Sequence, residues 1–106
     1  MVRLEPYRLT DRGGEALERW RSAPTEELEE VRDAGTLKLF FGGDPATLAV
    51  AQLAAHRRRL ELCERLVEQL GARGSDVPRG WCLALEAGIG HEREFVRFWS
   101  LLAEGA

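Results

Sequence analysis

Between residues 44 and 70 there is no glycine, and apolar side chains recur at helical spacing along the whole stretch. Leu53, Leu60 and Val67 stand seven residues apart, and His56, Cys63 and Leu70 follow each of them by three. On an α-helix these two rows lie side by side, so the pattern specifies one long helix with a packed seam along it. Asp44 and Pro45 mark its start, because a carboxylate accepts from free amides of the first turn and proline gives up an N–H that would be unpaired there. Leu48, Ala55, Leu62 and Leu66 form a neighbouring stripe, so the helix is expected to touch more than one other helix. At 1.5 Å per residue it is a rod of roughly 40 Å, too long for a small domain to cover alone.

A second helix of this kind is expected from near Pro78 to Ala103, after a turn of Gly, Ser and Asp at residues 71–76. Trp81, Gly88, Phe95 and Leu102 form one seven-residue row, Leu85, Glu92 and Trp99 a second, and Cys82, Ile89, Val96 and Ala103 a third. An apolar arc this wide exceeds what one small chain can cover, and Gly88 and Gly90 would let another backbone approach. Intermolecular packing is therefore expected, with Leu53, Leu60, Cys63, Val67, Trp81, Leu85, Gly88, Glu92, Phe95, Trp99 and Leu102 at a homodimer interface. Glu92 is the outlier in its row. It is expected to pair with an arginine such as Arg57 or Arg93 across the interface, or to face a cavity that admits a cationic ligand.

The earlier part of the chain is less regular. Residues 6–10 suggest a short extended segment, followed by a helix from Thr10 or Asp11 to about Ser22, with Ala16, Leu17 and Trp20 on one face. Pro24 ends it. Thr25, followed by Glu26 and Glu27, predicts the N-terminus of a second helix carrying Leu28, Val31, Leu37, Phe40 and Phe41, bent or broken at Gly35 and stopped by Gly42 and Gly43. The expected fold is thus all-α: four helices, the last two long and forming a dimeric bundle, with an extended N-terminal segment.

The length of 106 residues fits one domain with a modest core. A net charge of −3 argues against a wholly basic nucleic-acid binder, and no apolar run is long enough to cross a bilayer. Two cysteines make no disulfide framework and no signal-peptide core opens the chain, which points to a cytoplasmic address with no membrane partner. Cys63 and Cys82 are expected to be buried thiols.

Catalytic and metal chemistry find no frame. The stretch from His91 to Phe95 begins like a zinc-protease helix, but Phe95 stands where the second histidine belongs. His56 and His91 lack ligands at metal spacing, Gly88-Ile89-Gly90 falls inside a helix, and no serine has a nucleophile-elbow context. No metal, no cofactor and no enzymatic activity are expected. Arg57, Arg58 and Arg59 fan out around their helix and read as a solvated face neutralised by Glu61, Glu64 and Glu68. Tryptophans suit flat apolar ligands as well as cores, so Trp20, Trp99 and Glu92 are the candidate contacts for a small hydrophobic or aromatic effector.

Several segments resemble a known family. PYRLTDRGGEALERW, residues 6–20, is similar to the wing strand and following helix of PadR-like transcriptional regulators. LKLFFGGDP, residues 37–45, resembles the C-terminal domain of that family's larger branch, the virulence-activator-alpha C-terminal domain. AHRRRLE, residues 55–61, and Trp81, Leu85, Gly88, Glu92 or Glu94, and Trp99 are similar to the two long helices that follow. The resemblance implies a dimerising helical domain of a DNA-binding repressor, with residues 1–22 as the remnant of a winged-helix domain and residues 23–106 as the dimerisation and effector domain. The helices that enter the major groove are missing from the sequence, so specific operator binding by this chain alone is not expected; Arg3, Arg8 and Arg12 are candidate phosphate contacts. The alternative is a stand-alone helical protein that forms heterodimers with full-length regulators and modulates them.

Overall fold

The computed structural model describes residues 8–30 and 32–105. It is all-α, with four α-helices and one 3-10 turn among the described residues. The chain divides into two compact units, Met1–Val31 and Arg32–Ala106.

The first unit holds α1, Asp11–Ser22, as the capping signals predict. Thr10 is extended and its hydroxyl accepts from the Gly13 amide at 2.9 Å. Asp11 in the first turn and Arg19 and Arg21 in the last complement the helix dipole. Glu18 joins Arg21 and the Ser22 hydroxyl, and those hydrogen bonds hold its carboxyl below the usual range. Arg8, Leu9 and Thr10 form no strand; the rest of the expected extended segment lies outside the described residues.

The second helix begins eight residues later than the Thr25 signal suggests, with Asp33 as its N-cap: α2 is Ala34–Phe40, and residues 24–30 are not helical. Glu26, Glu27, Glu29 and Glu30 would stack like charges at three- and four-residue spacing on a helix, while Leu28 would gain little, being 90% exposed. Thr25 instead accepts from the Glu27 amide in a local turn, and Asp33 caps α2 by accepting from the Thr36 amide. Gly35 neither bends nor breaks the helix. It lies buried in the first turn of α2, where an added Cβ would stand 2.7 Å from the Gln52 side chain.

The α2 terminus is a Schellman motif: the Gly42 amide bonds to the Leu39 carbonyl and the Gly43 amide to the Lys38 carbonyl. Gly42 adopts φ +89°, and a Cβ on Gly43 would meet the Lys38 carbonyl oxygen at 2.8 Å and a Leu48 methyl at 2.9 Å. The paired glycines therefore turn the chain directly into the next cap. Asp44 accepts from both the amide and the hydroxyl of Thr47, and α3 runs Pro45–Ala72. After the 3-10 turn Gly74–Asp76, Pro78 precedes α4, Arg79–Ala103. The two long helices pack side by side as an antiparallel hairpin, and α2 packs on α3. Little of the chain is shut away from water: Ala49, Ile89 and Trp99 are the buried hydrophobic residues among those described.

Candidate functional site

The antiparallel register is fixed where His56 Nδ1 meets Glu92 Oε2 at 2.5 Å. Two turns further along α4 and two turns back along α3, Trp99 and Ala49 fall level with one another, and neither has any exposed surface. Seven residues the other way, Cys63 falls level with Leu85, both half-buried. The seven-residue rows of the two helices thus face each other within one chain.

Glu92 sits at the centre of this seam. Its side chain is 8% exposed, and its other oxygen, Oε1, lies 3.4 Å from an Arg59 guanidinium nitrogen. The His56 ring stacks on Phe95 with centroids 4.6 Å apart and planes 15° from parallel. Phe98 meets Trp99 edge to face at 5.1 Å. A buried carboxylate is tolerable only when charged or hydrogen-bonding partners replace its water, and His56 and Arg59 do so from α3. The expected partners were Arg57 and Arg93. A turn of 100° per residue places His56 and Arg59 on the α4-facing side of α3 and swings Arg57 away from it.

The same geometry makes the hairpin two-sided. One flank of α3 carries Ala51, Ala55, Arg59, Leu62 and Leu66, and one flank of α4 carries Ala84, Gly88, Phe95, Phe98 and Leu102. In an antiparallel pair of right-handed helices these flanks fall on the same side. The opposite side carries Arg57, Glu61, Glu64 and Glu68 from α3 and Glu86, Arg93 and Arg97 from α4, all exposed. One broad side is therefore mainly apolar and studded with small residues, with Arg59 and His91 on it, and the other is mainly ionic, with exposed Val50 among its charges. Leu37 and Phe40 of α2 and its C-cap residue Phe41 are further exposed apolar residues, with Phe40 and Phe41 edge to face at 5.3 Å.

Each residue expected at the interface has a definite place. Leu53, Leu60, Cys63, Leu85, Gly88, Phe95 and Leu102 are half-buried, Glu92 and Trp99 are buried in the seam, and Val67 and Trp81 are exposed. An added Cβ on Gly88 would meet nothing within 4 Å, so no contact within the chain requires that glycine. The thiols divide: Cys63 is half-buried and Cys82, expected to be buried, is exposed. Arg73 places its guanidinium 6.0 Å from the Trp81 ring centre. Of the effector candidates, Trp20 is an exposed residue of α1, while Trp99 has no open surface and both Glu92 oxygens are engaged. Arg8 and Arg12 are exposed; Arg3 lies outside the described residues. Arg59, read from sequence as part of a solvated triplet, and His56, read as a seam residue but not as a partner of Glu92, form the pairing that reading missed. Its signal was their three-residue spacing, legible only once α3 and α4 are known to face each other.

Among the described residues no group of three or more His, Cys, Asp and Glu side chains is placed to hold a metal ion. No described helix is long and apolar enough to cross a membrane. No curated protein and no solved structure matches the chain. A family model does: the one described as Virulence activator alpha C-term matches residues 31–103. That span takes in α2, the α3–α4 hairpin, the Glu92 cluster and the apolar side, and the chain belongs to this family of C-terminal domains.

Proposed function

We propose that the α2–α4 unit is the self-association and signal-sensing domain of a PadR-like transcriptional repressor, with a second copy of the chain seated on the apolar side of the hairpin. The observation that carries this reading is the two-sidedness of the hairpin. A single layer of two helices cannot bury both flanks of either helix, and on one side of the hairpin Leu62 and Leu66 remain exposed toward one end while Phe95, Phe98 and Leu102 are only half-buried toward the other.

A second copy suits this surface because the surface complements itself. Along α3 the small Ala51 and Ala55 precede the large Leu62 and Leu66; along α4 the small Ala84 and Gly88 precede the large Phe95, Phe98 and Leu102. A two-fold axis lying in the plane of the face sets the large half of each helix against a small half of the other copy. Two helices about 40 Å long, side by side, offer on the order of 800 Å², the area per partner of a stable interface.

The PadR-like reading rests on the family membership together with the likeness of residues 6–20 to a wing strand and linking helix. In it, α1 joins the sensing unit to a winged helix, Arg3, Arg8 and Arg12 contribute at most phosphate contacts, and the chain performs no catalysis. A small hydrophobic or aromatic effector enters between the two copies near Phe95 and Phe98, which touch His56 and Trp99 respectively. Binding one subunit arrangement better than another then changes the spacing of the attached DNA readers.

Sedimentation equilibrium of the chain at micromolar concentration tests the association half: the expected mass is twice the 11.9 kDa of one chain. A helical monomer would remove it. Titration of tryptophan fluorescence with a panel of aromatic compounds tests the sensing half, with saturable change expected and a flat response excluding it.

A further inference from the structure

Arg59 is the ionised side chain on the apolar flank of α3, between Ala55 and Leu62 along that flank. Its side chain is 69% exposed, and its one contact with Glu92 is long, at 3.4 Å. The other titratable group on that side is His91, on the adjoining flank of α4. Glu92 is buried and its second oxygen is already taken by His56. The cluster thus joins a sequestered carboxylate to a guanidinium standing on the surface that, in the reading above, a second copy covers.

We infer that the Arg59–Glu92 pair selects which arrangement of two copies is accepted. This rests on the self-association reading. Covering the face strips water from the Arg59 guanidinium, and an ion stripped of water without a partner costs far more than a paired one. Glu92 Oε1 is the acceptor within reach. An arrangement that leaves room for the guanidinium to close on Glu92 keeps both charges satisfied. One displaced by a helical turn presses an apolar side chain between them and leaves two desolvated charges. A polar group set in an apolar interface fixes register in this way.

The test compares the full chain with Arg59→Met, Glu92→Gln and the double variant, reading the dissociation constant by sedimentation equilibrium and helicity by circular dichroism. With a dimeric native chain, Arg59→Met is expected to weaken association at least tenfold, because it leaves Glu92 Oε1 without a partner under the second copy. Adding Glu92→Gln is expected to restore most of the lost affinity, since no unpaired charge remains. An Arg59→Met chain that associates like the native one overturns the inference, as does a double variant whose losses simply add. If Glu92→Gln reduces helicity, Arg59→Met decides by itself, because its side chain is mostly in water within the single chain. A monomeric native chain defeats both this inference and the self-association reading, whereas a dimer indifferent to Arg59 defeats this inference alone.

Discussion

The indole of Trp99 has no exposed surface, yet its Nε1 has no hydrogen-bond partner among the described residues. Its value to the fold is therefore volume and dispersion, with the N–H as a charge against it. Trp99→Ala is expected to cost about 3–5 kcal/mol, enough to unfold a domain with so few buried side chains. Trp99→Phe loses part of the volume but also removes the unpaired N–H, so it should cost far less; urea denaturation of both variants checks the order. The glycines give a second contrast. Gly42→Ala forces a side chain into φ +89° and should destabilise by about 1 kcal/mol or more, and Gly43→Ala meets a backbone carbonyl. Gly71→Ala, with nothing near its Cβ, should stabilise α3 by up to about 1 kcal/mol. At this scale the sequence showed that Glu92 was out of place on an apolar row and needed a cation. It suggested Arg57 or Arg93, whereas the partners are His56 and Arg59, because the choice requires the register between two helices, and periodicity along one helix contains no register.

The helices themselves were legible where cap and periodicity agree. Asp44 with Pro45 set the start of α3, and it is found there; Thr10 or Asp11 was expected to cap α1, and Thr10 does. The start of α2 was misread because Thr25 offers a cap with no stable helix behind it: four glutamates follow, and the oxygen of Thr25 is satisfied by a two-residue turn. The Asp44 cap carries a pH signature. Hydrogen bonds from the Thr47 hydroxyl, and then from its amide, hold the Asp44 carboxyl below its ordinary value. A carboxyl lowered in the folded state contributes stability that is present above its unfolded value and lost as pH falls through the folded one. Helicity of the native chain should therefore decline in the range below about pH 4. Asp44→Asn, which keeps a capping oxygen but cannot ionise, should flatten part of that decline in a circular dichroism titration; an unchanged acid limb would show that the cap does not matter.

For the whole molecule, the rows that suggested an intermolecular seam turned out to supply the seam within the hairpin. His56, Cys63, Leu85, Glu92 and Trp99 face the neighbouring helix of their own chain, and the adjoining flank, marked by Ala55, Leu62, Leu66 and Phe98, is the surface that the proposed self-association gives to a second copy. Periodicity in the sequence predicts a wide apolar arc on each long helix; only the antiparallel pairing shows how it divides into a seam and a face. The ionic side with Glu61, Glu64, Glu86 and Arg97 is the natural control, since it should stay in water in any assembly. The decisive measurement is sedimentation equilibrium of three chains in parallel: native, Leu62→Glu with Phe98→Glu on the apolar side, and Glu61→Lys with Glu86→Lys on the ionic side. The account predicts two-chain mass for the native and ionic-side proteins and one-chain mass for the apolar-side variant. A native chain that is monomeric and fully helical, or dissociation caused by the ionic-side changes and not by the apolar ones, would contradict it.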